Sequence, residues 1–78
     1  MTKNKLLLKI LQTQSDMFEI EMNDHWSNDD YSDMRRLRLE NKELTLEYER
    51  HYGPVPEFYD ILTVRRKIKE LMESEQVE

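Results

Sequence analysis

An all-α fold is what the sequence predicts: a three-helix bundle or helical hairpin with a long central helix and a short coiled-coil-like seam. Three observations predict it. The 78 residues include one glycine and no cysteine, and Leu, Glu, Lys, Arg and Met far outnumber Val and Thr; unbranched side chains lose little freedom on a helix. Apolar residues recur at spacings of three and four, not two. Start and stop signals then divide the chain into helices at about 2–22, 28–52 and 56–73, within one small domain spanning 1–78 whose acidic end, 74–78, is expected to fray.

The first helix puts Leu7, Ile10, Leu11, Met17 and Phe18 on one face, with Leu6 and Met22 at its margins and Gln14 as a polar gap. Asn23-Asp24-His25-Trp26 breaks that pattern. Ser27 is a good N-cap, and Asp30, three residues on, makes an acidic variant of the capping box. Asp29 and Asp33 add negative charge at the positive helix end. Trp26, just before the cap, and Tyr31, at the fourth helical position, have the spacing of a hydrophobic staple.

The second helix ends where Gly53 supplies a left-handed residue and Pro54 cannot continue the helix. At ~37 Å it is long for so small a domain and reads as the spine. The third helix follows Pro54-Val55-Pro56, with Pro56, Glu57 and Asp60 suited to its first turn. Its apolar set is Phe58, Ile61, Leu62, Val64, Ile68, Leu71 and Met72.

Met34, Leu37, Asn41, Leu44, Tyr48 and His51 alternate by three and four along the second helix, the pattern of a heptad seam. The stretch from Leu37 to Leu44 resembles a leucine zipper. It covers about two and a half heptads, fewer than a free-standing coiled coil needs, so it reads first as an internal core face. Leu39 and Leu46 lie on the opposite side of the same helix. Either the first and third helices cover its two faces, or Leu39 and Leu46 meet another chain. The second reading makes Leu39, Leu46 and the off-stripe Tyr59 a candidate oligomer or partner interface, with a homodimer the expected oligomer. The other aromatics, Trp26, Tyr31, Tyr48, Tyr52 and Phe58, are expected to close the ends of the second helix.

The net charge is −5, and it is unevenly spread. Residues 1–22 are neutral overall, and the acidic excess falls on the rest. Asp29, Asp30, Asp33, Glu40, Glu43 and Glu47 form a candidate acidic interaction face. Two basic clusters sit within this field, Arg35-Arg36-Arg38 and Arg65-Arg66-Lys67-Lys69, most of them with acidic neighbours at helical spacing. Arg65, Arg66, Lys67 and Lys69 are the candidate nucleic-acid face. The net charge opposes that reading, because neutralising phosphates supplies most of the affinity for nucleic acid. A helix-turn-helix through Asn23 to Trp26 would also lead with Asp29, Asp30 and Asp33 into the phosphates.

Chemistry finds little purchase. No cysteine and only two histidines, His25 and His51, are available for a transition metal. Asp24 to Arg35 lacks the glycine and terminal glutamate of a calcium loop. A single glycine excludes a glycine-rich phosphate loop. Glu40-x-x-Glu43 and Glu57-x-x-Asp60 resemble the E-x-x-E…E-x-x-D signature of the all-α nucleoside-triphosphate pyrophosphatases, which implies Mg²⁺ held by four carboxylates from two helices. Eleven glutamates make such pairs common by chance. Glu43 also stands ~14 Å from its helix end, whereas Glu57 and Asp60 belong to the first turn of the next helix, so the pairs sit at different levels. A bundle that sequesters nucleotides on Arg35, Arg36 or Arg38 is a further alternative.

These observations predict a non-enzymatic, cofactor-free regulatory protein that binds and modulates a partner macromolecule, in the manner of a nucleic-acid mimic. Its composition is like that of accessory inhibitors from phages and mobile elements. A protein partner is expected, with nucleic acid the lesser alternative. No apolar run reaches the ~18 residues of a membrane span, and the expected location is the cytosol.

Overall fold

The computed structural model describes residues 2–56 and 60–77, which form α1 (Lys3–Glu21), α2 (Asn28–Tyr52) and α3 (Ile61–Val77), with no strand among them. The fold is all-α, as the sequence predicts. Thr2 caps α1 by accepting the Lys5 backbone N–H at 3.2 Å. At the start of α2 the capping box closes in both directions: Asp30 N–H donates to Ser27 Oγ at 3.3 Å, and Ser27 N–H donates to Asp30 Oδ2 at 3.0 Å. Trp26 and Tyr31 meet edge to face with ring centroids 5.0 Å apart, which completes the staple.

Gly53 ends α2 with φ +90° and ψ −163°. This lies beyond the left-handed helical region expected there, in a region essentially confined to glycine.

The third helix departs most from expectation. It begins at Ile61, not at residue 56, and it continues to Val77 instead of ending near residue 73. Asp60 sets the start. Its Oδ1 accepts the Thr63 backbone N–H at 2.7 Å, its Oδ2 accepts the Thr63 hydroxyl at 3.0 Å, and its carbonyl accepts the Val64 N–H at 3.2 Å. An aspartate whose side chain bonds the third helical N–H is an N-cap, so Asp60 stands before the first turn and not within it. The backbone hydrogen bond from Thr63, then its hydroxyl, with help from the Leu62 N–H and the Arg66 charge, holds the Asp60 carboxyl below its usual range. A lowered folded-state value stabilises the fold above the ordinary carboxylate range and loses that stabilisation as pH falls through the folded value. Asp60→Asn is therefore expected to melt below wild type near neutral pH, with the gap closing below about pH 4; thermal melts followed by circular dichroism across that range check it.

Helix α1 packs against both α2 and α3, whereas among the described residues the backbones of α2 and α3 do not come together. The long α2 is the middle helix in sequence, but α1 is the middle helix in space. The cause is the width of its apolar arc. Leu6, Leu7, Ile10 and Leu11 are all buried, and at about 100° per residue they span roughly 140°, enough for two neighbours. Together with Tyr48 of α2 and Val64 and Leu71 of α3 they form the core, against which Leu8, Phe18, Leu44, Val55 and Ile68 pack. Arg65 pairs with Glu19 at 3.0 Å, which puts the first turns of α3 beside the last turns of α1. Leu62 and Met72, expected in the core, are exposed, Leu62 by 70%; Leu62 is turned off the stripe made by Ile61, Val64, Ile68 and Leu71. Met22 is exposed as well.

Helices α1 and α2 are antiparallel, and one polar contact sets their register. Asn41 Nδ2 donates to Thr13 Oγ1 at 2.8 Å and to the Ile10 carbonyl at 3.3 Å, while the Thr13 hydroxyl donates to that same carbonyl at 2.7 Å. Thr13 is buried. Next to it, Gln14 Oε1 is buried with no hydrogen-bond partner among the described residues. The polar gap expected in α1 is thus a polar patch facing its neighbour.

Candidate interaction site

The inner seam of α2 is spent on α1. Met34, Leu37 and Tyr48 are buried and Asn41 and Leu44 half-buried, while His51, the last of the predicted seam, is exposed. The zipper-like stretch therefore serves within the chain.

The opposite side of α2 is uncovered. Leu39 is 59% exposed and Leu46 50% exposed, because α3 docks on α1 and not on this face. On a helical wheel these leucines form one line. Glu43, Glu47 and Glu40 lie within about 100° to one side of it, and Arg35, Lys42 and Arg38 within about 100° to the other, although Arg36 also falls on the first side and Glu49 on the second. The first six are all exposed. Among the described residues none of the six has an ion-pair partner within the chain.

The predicted acidic face divides. Asp29, Asp33, Glu40, Glu43 and Glu47 are exposed and share one flank of α2, with Asp33 paired to Arg36 at 3.6 Å. Asp30 does not belong to that flank: it is half-buried, and its carboxylate is engaged by the capping box. Glu57, Phe58 and Tyr59 lie outside the described residues.

The basic third helix is partly neutralised by its neighbours. Arg65 is held by Glu19 and Lys67 by Glu70 at 3.7 Å, while Arg66 and Lys69 remain exposed. Glu40 and Glu43 face solvent, and Asp60 is committed to capping α3. Among the described residues no group of three or more His, Cys, Asp or Glu side chains is placed to hold a metal ion. No helix among them is long and apolar enough to cross a membrane.

Sequence reasoning missed a shallow groove at the start of α2, lined by Trp26, Tyr31, Met34, Arg35 and Arg38. Its signal was the helical spacing of Tyr31, Arg35 and Arg38 beside the staple tryptophan. A second open groove, between the end of α1 and the start of α2, is lined by Asp16, Glu19, Asn23 and Asp33 with Arg36, Ile20 and Leu37. It joins two acidic residues of α1 to the acidic flank of α2. Comparison of the chain with protein-family models, with curated proteins and with solved structures found no match.

Proposed function

We propose that the chain is a small acidic interaction protein that regulates a partner macromolecule by occupying its surface, without chemistry of its own. The observation that carries this reading is the row of exposed carboxylates along one flank of α2: Asp29, Asp33, Glu40, Glu43 and Glu47. From Asp29 to Glu47 the row runs about 27 Å along a stiff helix. Arg36 interrupts the row and pairs with Asp33, but five carboxylates against one arginine leave the flank net negative, and such a flank complements a cationic surface and speeds encounter with it. Proteins that bind nucleic acid carry such surfaces, so the matching partner is a nucleic-acid-binding protein whose phosphate site the row would fill.

The test is displacement of labelled duplex from a panel of purified nucleic-acid-binding proteins. The wild-type chain is expected to displace duplex from a member of the panel, less well as salt rises. The Glu40→Gln/Glu43→Gln/Glu47→Gln variant, with its helix content unchanged, is expected to lose about tenfold or more in affinity. No displacement across the panel, or equal displacement by the variant, would overturn the reading.

A further inference from the structure

The first turns of α2 hold the shallow groove lined by Trp26, Tyr31, Met34, Arg35 and Arg38, about 210 Å³ in volume. Tyr31, Arg35 and Arg38 follow one another at spacings of four and three, so they share one face of the helix. Helical side chains lean towards the N-terminus, which directs both guanidiniums back towards Tyr31. Met34 is buried and forms the floor, Trp26 is half-buried, and Tyr31 is 57% exposed. The two rings meet edge to face, and in such a pair the ring that offers its edge keeps both faces free of its partner.

Both guanidiniums in the groove are unengaged. Arg35 and Arg38 are exposed, and among the described residues neither enters an ion pair or a hydrogen bond. Arg36 differs: it lies on the other flank, where Asp33 holds it at 3.6 Å. On a helical wheel Asp29 and Asp33 stand about 120° or more from Arg35 and Arg38, and the Asp30 carboxylate is tied into the capping box. Beyond Arg38 and Lys42 the first carboxylate on this side of α2 is Glu49, roughly 16 Å further along. The groove is therefore a local site for negative charge on a chain whose net charge is −5.

Size and charge narrow the ligand. The groove is smaller than the roughly 300–1,000 Å³ of most ligand pockets, with room for one flat ring system. Side chains three apart on a helix start about 5–6 Å from each other, close enough for Arg35 and Arg38 to grip a single anion. A phosphate monoester carries close to −2 at pH 7 and has oxygens for both guanidinium forks, whereas a carboxylate with its single charge neutralises only one of them. The aromatic wall adds a surface on which a base stacks. We propose that the groove of Trp26, Tyr31, Met34, Arg35 and Arg38 binds a free nucleoside 5′-monophosphate, with its base against the aromatic wall and its phosphate between the two guanidiniums. A nucleic-acid strand fits less well, because its further phosphates meet the field of an acidic chain. The groove lies across α2 from the acidic row and serves a ligand that the row would repel.

Trp26 is the only tryptophan, so its fluorescence and its indole N–H resonance report on the groove directly. Titration of the purified full chain with adenosine 5′-monophosphate is expected to change both signals saturably, with a dissociation constant on the order of 10 µM to 1 mM that rises with salt. In competition, adenosine and inorganic phosphate are each expected to bind about tenfold or more weakly than the nucleotide. Arg35→Gln/Arg38→Gln, with helix content unchanged, is expected to lose about tenfold or more in affinity. Arg36→Gln is expected to stay within about twofold of wild type. No saturable change up to ~10 mM nucleotide would overturn the inference. So would a loss from Arg36→Gln equal to that of the double variant, which would mean that only net charge is read. Inorganic phosphate binding as tightly as the nucleotide would remove the ring from the site and overturn it too. A short 5′-phosphorylated oligoadenylate binding more than about tenfold more tightly than the mononucleotide would overturn the free nucleotide as the ligand. No nucleic-acid-binding protein enters these measurements, so this inference and the proposed function fail separately.

Discussion

Ile10→Ala is expected to lower the thermal midpoint by roughly 10–25 °C, as a loss of about 2–5 kcal/mol from a domain this short does. Ile10 is fully buried, on the helix that touches both others. Truncation leaves a cavity that neither α2 nor α3 can close without losing its contact with the rest of α1. The small core leaves little reserve, since a domain of this size has only about 4–12 kcal/mol of net stability. Leu62→Ala is the control. With its side chain 70% exposed, it is expected to change stability by no more than about 0.5 kcal/mol. Thermal and urea melts of the two variants decide the matter. Equal losses would mean that the core is not centred on α1.

The contact among Asn41, Thr13 and the Ile10 carbonyl yields the second large effect. Asn41→Ala removes two hydrogen bonds from a part-buried site and is expected to cost about 1–2 kcal/mol. Thr13→Val keeps the shape but removes the hydroxyl that both accepts from Asn41 and donates to the Ile10 carbonyl; the expected cost is about 1–2 kcal/mol. The two changes act on one network, so the double variant should lose less than the sum, with a coupling of roughly 0.5–1.5 kcal/mol. A double-mutant cycle from urea melts measures it. Strictly additive losses would show that Asn41 and Thr13 stabilise the fold independently, and would remove the register role given to Asn41.

Much of the fold was legible locally. The signals at Ser27, Asp30, Trp26 and Tyr31 involve groups within five residues of one another, and the structure assembles them as expected. The end of α2 at Gly53 was equally readable, since few residues other than glycine accept its backbone angles. The start of α3 was not. Pro56, Glu57 and Asp60 all suit a helix beginning, and the sequence offers no means of ranking them. The hydrogen bonds that Thr63 gives to Asp60 decide it. Of the candidate site, the exposure of Leu39 and Leu46 was one of two open outcomes. The acidic row was readable except for Asp30, whose carboxylate was assigned both to the cap and to the face and can serve only one.

Helix content, the α2 cap and stop, and the two-sided apolar pattern of α2 follow from residue order, because each depends on backbone propensity, on hydrogen bonds between near neighbours, or on the 3.6-residue period. Which helix lies in the middle depends on something else. A stripe of leucines specifies a face to bury but not the neighbour that buries it; α2 offered two apolar sides and α1 one wide face. Packing resolved the competition in favour of α1, whose wide arc carries four buried aliphatic side chains. The outer line of α2 has two leucines hemmed in by charges. Burying it inside the chain would have desolvated Arg35, Lys42, Glu43 and Glu47. Tertiary structure therefore left that line at the surface, where those charges stay hydrated.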